Sequence, residues 1–343
     1  MVNKILFQWD NLLDSFSQTQ KDIYFREEYV KLYETEKDKA QCFVCIDNDK
    51  VFIFPYLLRT FEYQDYLYHD FETAYGYGGP ICNTEDNEFI ISAWKEFFHI
   101  AREENYICGF VRFYPLFNNY KGFESIGRVI DDRHTIAIDL SGTEDEIWMS
   151  EIHTKNRNII KKAAKEGLSF KADYDFSYLT QFRALYDATM QKLHADEFYY
   201  FDDAYYENIH KACPQSFIGV VEKDDEVISA AIFYYNAPYG HYHLAGSNQE
   251  YLRYSANNFL LWNAALELKR QGVTTFHLGG GTNSDEDNSL YCFKKKFSKS
   301  FYYFKLGKVI FDQSVYDSLC KDWEEKNPDK KEALKNILLK YKY

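Results

Sequence analysis

Between residues 255 and 297 the chain collects groups that polar chemistry needs. Ser255 stands before an apolar helical stretch, Gly279, Gly280 and Gly281 close a β-branched and aromatic run, and Lys294, Lys295 and Lys296 follow between two phenylalanines. A helix N-terminus attracts anions through its unpaired N–H groups. A glycine turn at the carboxyl end of a strand lies where open α/β sheets place ligands, or is simply a flexible turn. A lysine held beside a reacting carbonyl would stabilise the negative charge that attack creates on oxygen; the plain alternative is a cationic helix end facing water. No Ser-His-Asp or Cys-His arrangement is readable, so the expectation is direct attack without a covalent intermediate on the protein.

Elements of regular structure must hold these groups. Ser255 suits an N-cap, and Phe259, Trp262 and Leu266, flanked by Leu261, Ala265 and Leu268, recur at helical spacing as one apolar face. Lys269 and Arg270 suit the negative helix end, and Gly272 stops it. Residues 273–278 then read as a buried strand, giving a helix–strand unit. Ahead of it, residues 217–221, 227–235 and 241–245 read as successive antiparallel strands with Asp-Asp and Pro-Tyr-Gly turns.

Two further clusters could bind ligands. Residues 155–167 carry Lys155, Arg157, Lys161, Lys162 and Lys165 on a predicted helix, either as a solvated face opposite Ile159, Ile160 and Ala163 or as an anion site. His241 and His243 alternate on one strand and His277 ends another, but no carboxylate or cysteine at ligand spacing joins them. No metal site is expected. Cys42 and Cys45 lie in a strand-like run, where residues three apart point to opposite faces, so zinc or redox use is not expected either.

The segments KNRNIIKKAAKEG (155–167), YSANNFLLWNAALELKRQG (254–272), FHLGGG (276–281) and LYCFKKKF (290–297) resemble the FemAB-type aminoacyltransferases that build peptidoglycan cross-bridges, and their acetyltransferase-like GNAT relatives. In the N-terminal half YGYGGP (75–80) resembles the pattern. The resemblance implies an α/β fold of two tandem GNAT-like domains, each a twisted mixed sheet flanked by helices, with no coiled-coil arm. We set them at residues 1–145 and 146–343, the second carrying the transfer site and C-terminal helices that pack back on the body.

The same resemblance implies site residues. Phe293 and Lys294 match a Phe-Lys pair at the family's acyl-transfer centre, Lys294 to stabilise the oxyanion and Phe293 to exclude water. In the GNAT fold the donor lies where a strand splays from its neighbour, with its phosphates at the next helix N-terminus, which makes Gly246, Ser247, Asn248, Ser255, Ala256 and Asn257 the donor-binding candidates. Lys31, Tyr77, Lys155, Arg157, His277, Gly279 and Gly280 are the substrate-binding candidates. The turn before the helix lacks the Q/R-x-x-G-x-G/A of an acetyl-CoA enzyme, so the usual mode of acetyl-CoA binding does not fit it.

Composition limits the alternatives. With 343 residues, 46% hydrophobic and 27% charged, the chain has room for two globular domains. A net charge of −13 argues against DNA and weighs against an RNA-borne donor, though a local basic groove remains compatible with it. The 7 scattered cysteines, the absence of a membrane span and a start without a long apolar run suggest a cytoplasmic protein. The 31 tyrosines and 29 phenylalanines serve packing or line polar grooves.

The expected function is therefore an N-acyltransferase that binds no cofactor tightly, uses acyl-CoA or aminoacyl-tRNA as co-substrate, and acts on an amine of a nucleotide-linked cell-envelope precursor such as a peptidoglycan peptide. Two alternatives stay open: an acyl-CoA-dependent transferase acting on an amino sugar of a surface polysaccharide, and a non-catalytic domain pair that binds a precursor. Outside the site, the patterns predict a helix at 24–35, a hairpin of 41–46 and 51–58, a helix at 88–105, strands at 108–114 and 134–140, and helices at 144–151 and 176–193. A strand pair at 301–304 and 308–311 follows, then two helices at 315–325 and 330–341.

Overall fold

Alternating apolar residues between 38 and 63 fold back across the turn at Asn48 and Asp49: β2 (Asp38–Asp47) and β3 (Lys50–Tyr63) pair antiparallel from Asp38↔Arg59 to Asp47↔Lys50. The computed structural model describes residues 2–196 and 199–342. It divides into two units, residues 1–132 with 304–343, and residues 133–303.

In unit 1 the strand order is β1 (Val2–Leu6), β2, β3, β4 (Tyr66–Glu72), β6 (Tyr106–Arg112) and β13 (Phe301–Ile310, of which the unit holds 304–310), with β5 (Ile81–Cys82) added to β3. β4 and β6 run parallel, joined through α3 (Asn87–Glu103). Phe89, Ala93, Trp94, Phe97 and Ala101 recur on one face of α3 and pack on Phe43, Phe52, Phe54, Tyr56 and Phe71 of the sheet. Each such aromatic contributes about 1.5–3 kcal/mol by leaving water. The short helices α1 (Asp10–Asp14) and α2 (Glu27–Lys31) complete the N-terminal part, and α10 (Gln313–Lys326) covers Ile107 and Cys108 with Leu319.

Three expectations for this unit change. Residues 24–35 form a 3-10 turn, Ile23–Phe25, and only the five-residue α2, because Arg26 is extended between them. The predicted hairpin at 301–311 is one continuous strand, β13; Gly307 is needed there because a Cβ would come within 2.8 Å of Phe113 and 2.9 Å of Phe123. Residues 330–341 form turns and a 3-10 segment, Lys340–Lys342, instead of an α-helix, yet Leu338 and Leu339 are buried beside Leu319. This C-terminal segment belongs to unit 1.

Unit 2 orders its strands as β7 (Arg128–Asp139, of which it holds 133–139), β12 (Thr275–Gly280), β11 (Tyr239–Ser247), β10 (Glu226–Asn236), β9 (Ser216–Lys223) and β8 (Ser169–Asp173). β11 and β12 are parallel and joined through α8 (Ala256–Arg270); the other pairs are antiparallel. Its remaining helices are α4 (Glu144–Ser150), α5 (Thr154–Lys165), α6 (Leu179–Lys192), α7 (Asp203–Ala212) and α9 (Ser289–Lys294). α8 buries Leu260, Leu261, Ala264, Ala265 and Leu268 against Phe217, Phe233, Phe276 and Leu278. The predicted face centred on Phe259, Trp262 and Leu266 is thus the half-buried flank; Trp262 packs on Trp148 at 4.7 Å between ring centroids.

Candidate active site

The strands β11 and β12 hold together for three residue pairs, Tyr239↔Thr275, Gly240↔Phe276 and His241↔His277, and then part. Beyond His277 the strand partner of β12 among the described residues is β7, and the ladder slips between His277 and Gly279, so that Leu278 is a bulge. Gly279 has φ +73°, a conformation that glycine adopts without strain. Gly280 has no room for a side chain, since a Cβ would lie 2.6 Å from the carbonyl oxygen of His134, and at Gly281 it would meet Asn288 Oδ1 at 2.5 Å. Packing against β7 and the cap of α9 therefore requires the last two glycines. Their effect is to leave the carbonyls of Gly280 and Gly281 open to side-chain donors.

Lys294 takes the first of these carbonyls. It ends the short helix α9, which Asn288 caps by accepting from the Tyr291 N–H, and its Nζ donates to Gly280 O at 2.8 Å. The same Nζ lies 5.6 Å from the Tyr242 ring centroid on β11. The amine thus sits where the two strands separate, with contacts to both. Lys294 is 6% exposed. Burial, reinforced by the neighbouring Arg133 guanidinium, pulls its pKa down to about 7. Arg133 Nη1 donates to Gly281 O at 2.8 Å, so two basic side chains hold consecutive carbonyls of one turn. His277 is buried beside them, its pKa well below the usual value because of desolvation first, then His241 and Lys294.

A lysine titrating near neutrality does more than stabilise an oxyanion. It can take the proton that an attacking ammonium must lose and return it to a departing thiolate or alkoxide. Phe293 points into the packing around the core, with Phe297 5.5 Å away, so it supports the turn that carries the lysine.

The donor candidates divide. The gap between β11 and β12 opens toward the carboxyl end of β11, the end at which α8 begins. Ser255 has a left-handed backbone, φ 54° and ψ 42°, and its side chain makes no capping bond to the first turn of α8, which begins at Ala256 and Asn257. Asn257 Oδ1 accepts from Ser229 Oγ at 2.6 Å and its Nδ2 donates to Ser247 Oγ at 3.3 Å, which brings two of the candidates into contact. Gly246 instead backs onto α6: a Cβ there would lie 2.3 Å from the Leu185 and Tyr186 backbone. Asn248 faces Glu226, donating to Oε1 at 3.2 Å.

The remaining substrate candidates lie elsewhere. Arg157 spends its guanidinium on the carboxyl end of α4, donating from Nη1 to Trp148 O, Met149 O and Ile152 O at 3.2, 3.0 and 2.8 Å. Lys155 is exposed on α5, the helix that also carries Arg157. In unit 1, Lys31 pairs with Glu27 and, at 3.2 Å, with Glu28. Tyr77 packs edge-on to Tyr24 at 5.4 Å and Phe304 at 5.2 Å.

Sequence reasoning missed Arg133, Tyr242, Asn156 and Asn258. Arg133 follows two aspartates in an unremarkable strand start, which carries no signal. Asn156 did carry one, because helical spacing puts it on the same stripe as Ile160 and Ala163, an unusual place for an amide.

A family profile described as an acetyltransferase (GNAT) domain matches residues 153–289. No curated protein matches the chain in sequence. Among solved structures it is similar to FemX, with TM-score 0.72 and 14% identity over 92% of this chain and 99% of that one. It is also similar to the C-terminal domain of a protein from Agrobacterium fabrum named as a lysylphosphatidylglycerol synthetase, with TM-score 0.55 and 12% identity over 90% of this chain and 91% of that one. A tandem GNAT protein from the clavulanic acid biosynthesis pathway aligns with TM-score 0.51 and 7% identity over 90% and 99%. The chain thus shares the fold of these structures, and its residues 153–289 match the GNAT acetyltransferase-domain profile.

Proposed function

We propose that this protein is an N-acyltransferase that moves an acyl or aminoacyl group from an activated carrier to an amine of a cell-envelope precursor, the peptidoglycan peptide being the acceptor that the sequence resemblance to FemAB-type enzymes favours. The observation that carries the reading is the Lys294 amine, buried at the parting of β11 and β12 and held by Gly280 O. In this reading the donor's anionic part rests at the first turn of α8, where unpaired N–H groups and the helix dipole favour negative charge. The acceptor amine attacks the carbonyl carbon directly. A new C–N bond forms, the bond to the carrier breaks, and Lys294 relays the amine's proton to the leaving group.

A second reading has its own support. The matching profile is described as that of an acetyltransferase, which favours acyl-CoA as the donor; in this reading the acceptor is an amino sugar of a surface polysaccharide. A donor screen separates the two: thermal shift and calorimetry with acetyl-CoA, longer acyl-CoAs and aminoacyl-tRNA. Saturable binding of a CoA thioester supports the sugar acyltransferase. Binding only of charged tRNA, falling steeply with salt, supports the bridge-forming aminoacyltransferase. Binding of none of these donors overturns both.

A further inference from the structure

The turn that follows Lys294 is held by a buried amide pair. Asn156, fully buried on α5, donates from Nδ2 to the carbonyl oxygen of Lys296 at 3.3 Å, and the backbone N–H of His153 reaches the same oxygen at 2.9 Å. Asn156 Oδ1 in turn accepts from Nδ2 of Asn258 at 2.7 Å, and Asn258 belongs to the first turn of α8. The turn itself closes through Phe297 N to Lys294 O at 2.9 Å, and Ser298 Oγ donates to Glu151. One side chain therefore joins the first turn of α8 to the backbone that carries the buried amine.

We propose that Asn156 is a positioning residue for Lys294: it sets how deep the amine enters the gap between β11 and β12 and ties that depth to the first turn of α8. The inference rests on the reading of Lys294 given above. An apolar residue on this stripe would fill the same space beside Ile160 and Ala163. The amide costs more to bury and is satisfied only in one arrangement of three segments, which is what fixes a side chain's position. Displacement of the turn by a fraction of the 2.8 Å contact would move the amine off Gly280 O and toward water. The groups that face the amine are Arg133 from β7, His277 from β12 and Tyr242 from β11, and none of them lies on the segment that Asn156 holds.

The test needs no substrate. In protein labelled with 13C at the lysine ε-carbons, the Lys294 resonance is assigned by its loss in Lys294→Met and titrated by NMR. The wild-type midpoint is expected near 7. In Asn156→Leu it should rise by about one pH unit or more as the amine gains solvent. Asn156→Leu with Asn258→Leu removes both amides, so it regains stability without regaining the midpoint, and it serves where the single variant folds poorly. A midpoint near 7 in either folded variant overturns the positioning role. A wild-type midpoint in the ordinary lysine range overturns the Lys294 reading itself, and the inference with it.

Discussion

Both units contain a parallel crossover, and the two differ in how the crossover ends. In unit 1, β4 and β6 stay paired to Glu72↔Phe110, the Thr73 N–H adds a bond to Phe110 O at 3.1 Å, and the Phe71 ring lies so close over Gly109 that a Cβ there would be 2.0 Å away. The connecting helix α3 is capped by Asp86, whose Oδ1 accepts from the Glu88 and Phe89 N–H groups at 3.0 and 3.3 Å. In unit 2, β11 and β12 part after His241↔His277, and α8 starts at Ser255 without a side-chain cap. One crossover is filled by an aromatic ring and neutralised by its own carboxylate; the other is left open, with a buried amine in the gap. The same supersecondary unit thus serves packing in one half and, in the function proposed, chemistry in the other.

The largest effect is expected where unit 1 has put its charges to structural use. Arg59 donates to Asp70 through Nε at 2.9 Å and through Nη2, Tyr341 OH reaches Asp70 Oδ2 at 3.0 Å, and Lys342 bridges Asp38 and Glu72 at 3.0 and 2.6 Å. Arg59→Met leaves Asp70 buried beside a single hydroxyl and should cost about 3–5 kcal/mol of stability in urea unfolding, which buried Trp9 and Trp94 report. The Lys294 titration should not move. A loss below about 1 kcal/mol would mean that this network is not what holds the C-terminal segment.

In the open crossover, Lys294→Met should lower turnover by at least about tenfold, 1.4 kcal/mol or more of transition-state stabilisation. Its stability signature is the opposite of a damaging change. Folding lowers the lysine's pKa to about 7, so above that pH the unfolded chain holds a proton that the folded protein does not. Stability contributed by this group therefore rises from about pH 7 toward the ordinary lysine pKa near 10.4, and below pH 7 the buried charge is a cost. Lys294→Met should flatten that rise and unfold at higher denaturant at neutral pH. Turnover in the wild type should climb through about pH 7 as the amine loses its proton. A rate unchanged by the substitution would remove Lys294 from the mechanism.

How far the sequence carried this picture follows from which signals are local. The hairpin of β2 and β3, the helices α3 and α8 and the strands of unit 2 were legible because each obeys its own period, with caps and turns at its ends. Lys294 was a candidate through its motif, and the structure buries it. The pairing of Lys294 with Gly280 O and the presence of Arg133 were not legible, since both depend on a bulge at Leu278 and on β7, whose sequence neighbours lie more than 100 residues before α9. Gly246 misled for the same reason: a glycine after a strand reads as room for a ligand, and only the fold shows α6 in that room. The same holds for 330–341, where helical spacing of apolar residues marked burial correctly and the backbone conformation wrongly.

The last two predictions exchange the helix starts of the two crossovers. Asn257→Asp places a carboxylate in the first turn of α8, as Asp86 does at α3. It keeps the acceptor for Ser229 Oγ and loses only the long bond to Ser247. A negative charge there complements the helix dipole and should add about 0.3–1 kcal/mol of stability. It should also repel an anionic donor, weakening binding of whichever carrier the screen identifies by about tenfold, an effect that shrinks as salt is added. If the donor's phosphates rest elsewhere, affinity will stay level while stability still rises.

Asp86→Ala does the converse in unit 1. It removes the cap and the pairing with Lys50, and should cost about 1 kcal/mol, within the range for lost N-caps. Turnover should not change, because the Phe71 ring, not the cap, is what closes that crossover. Measured side by side, the pair asks whether the bare start of α8 is a defect of capping or a place kept for an anion. A capping defect predicts that Asn257→Asp raises stability with donor affinity intact. A kept place predicts that the gain in stability and the loss of affinity arrive together.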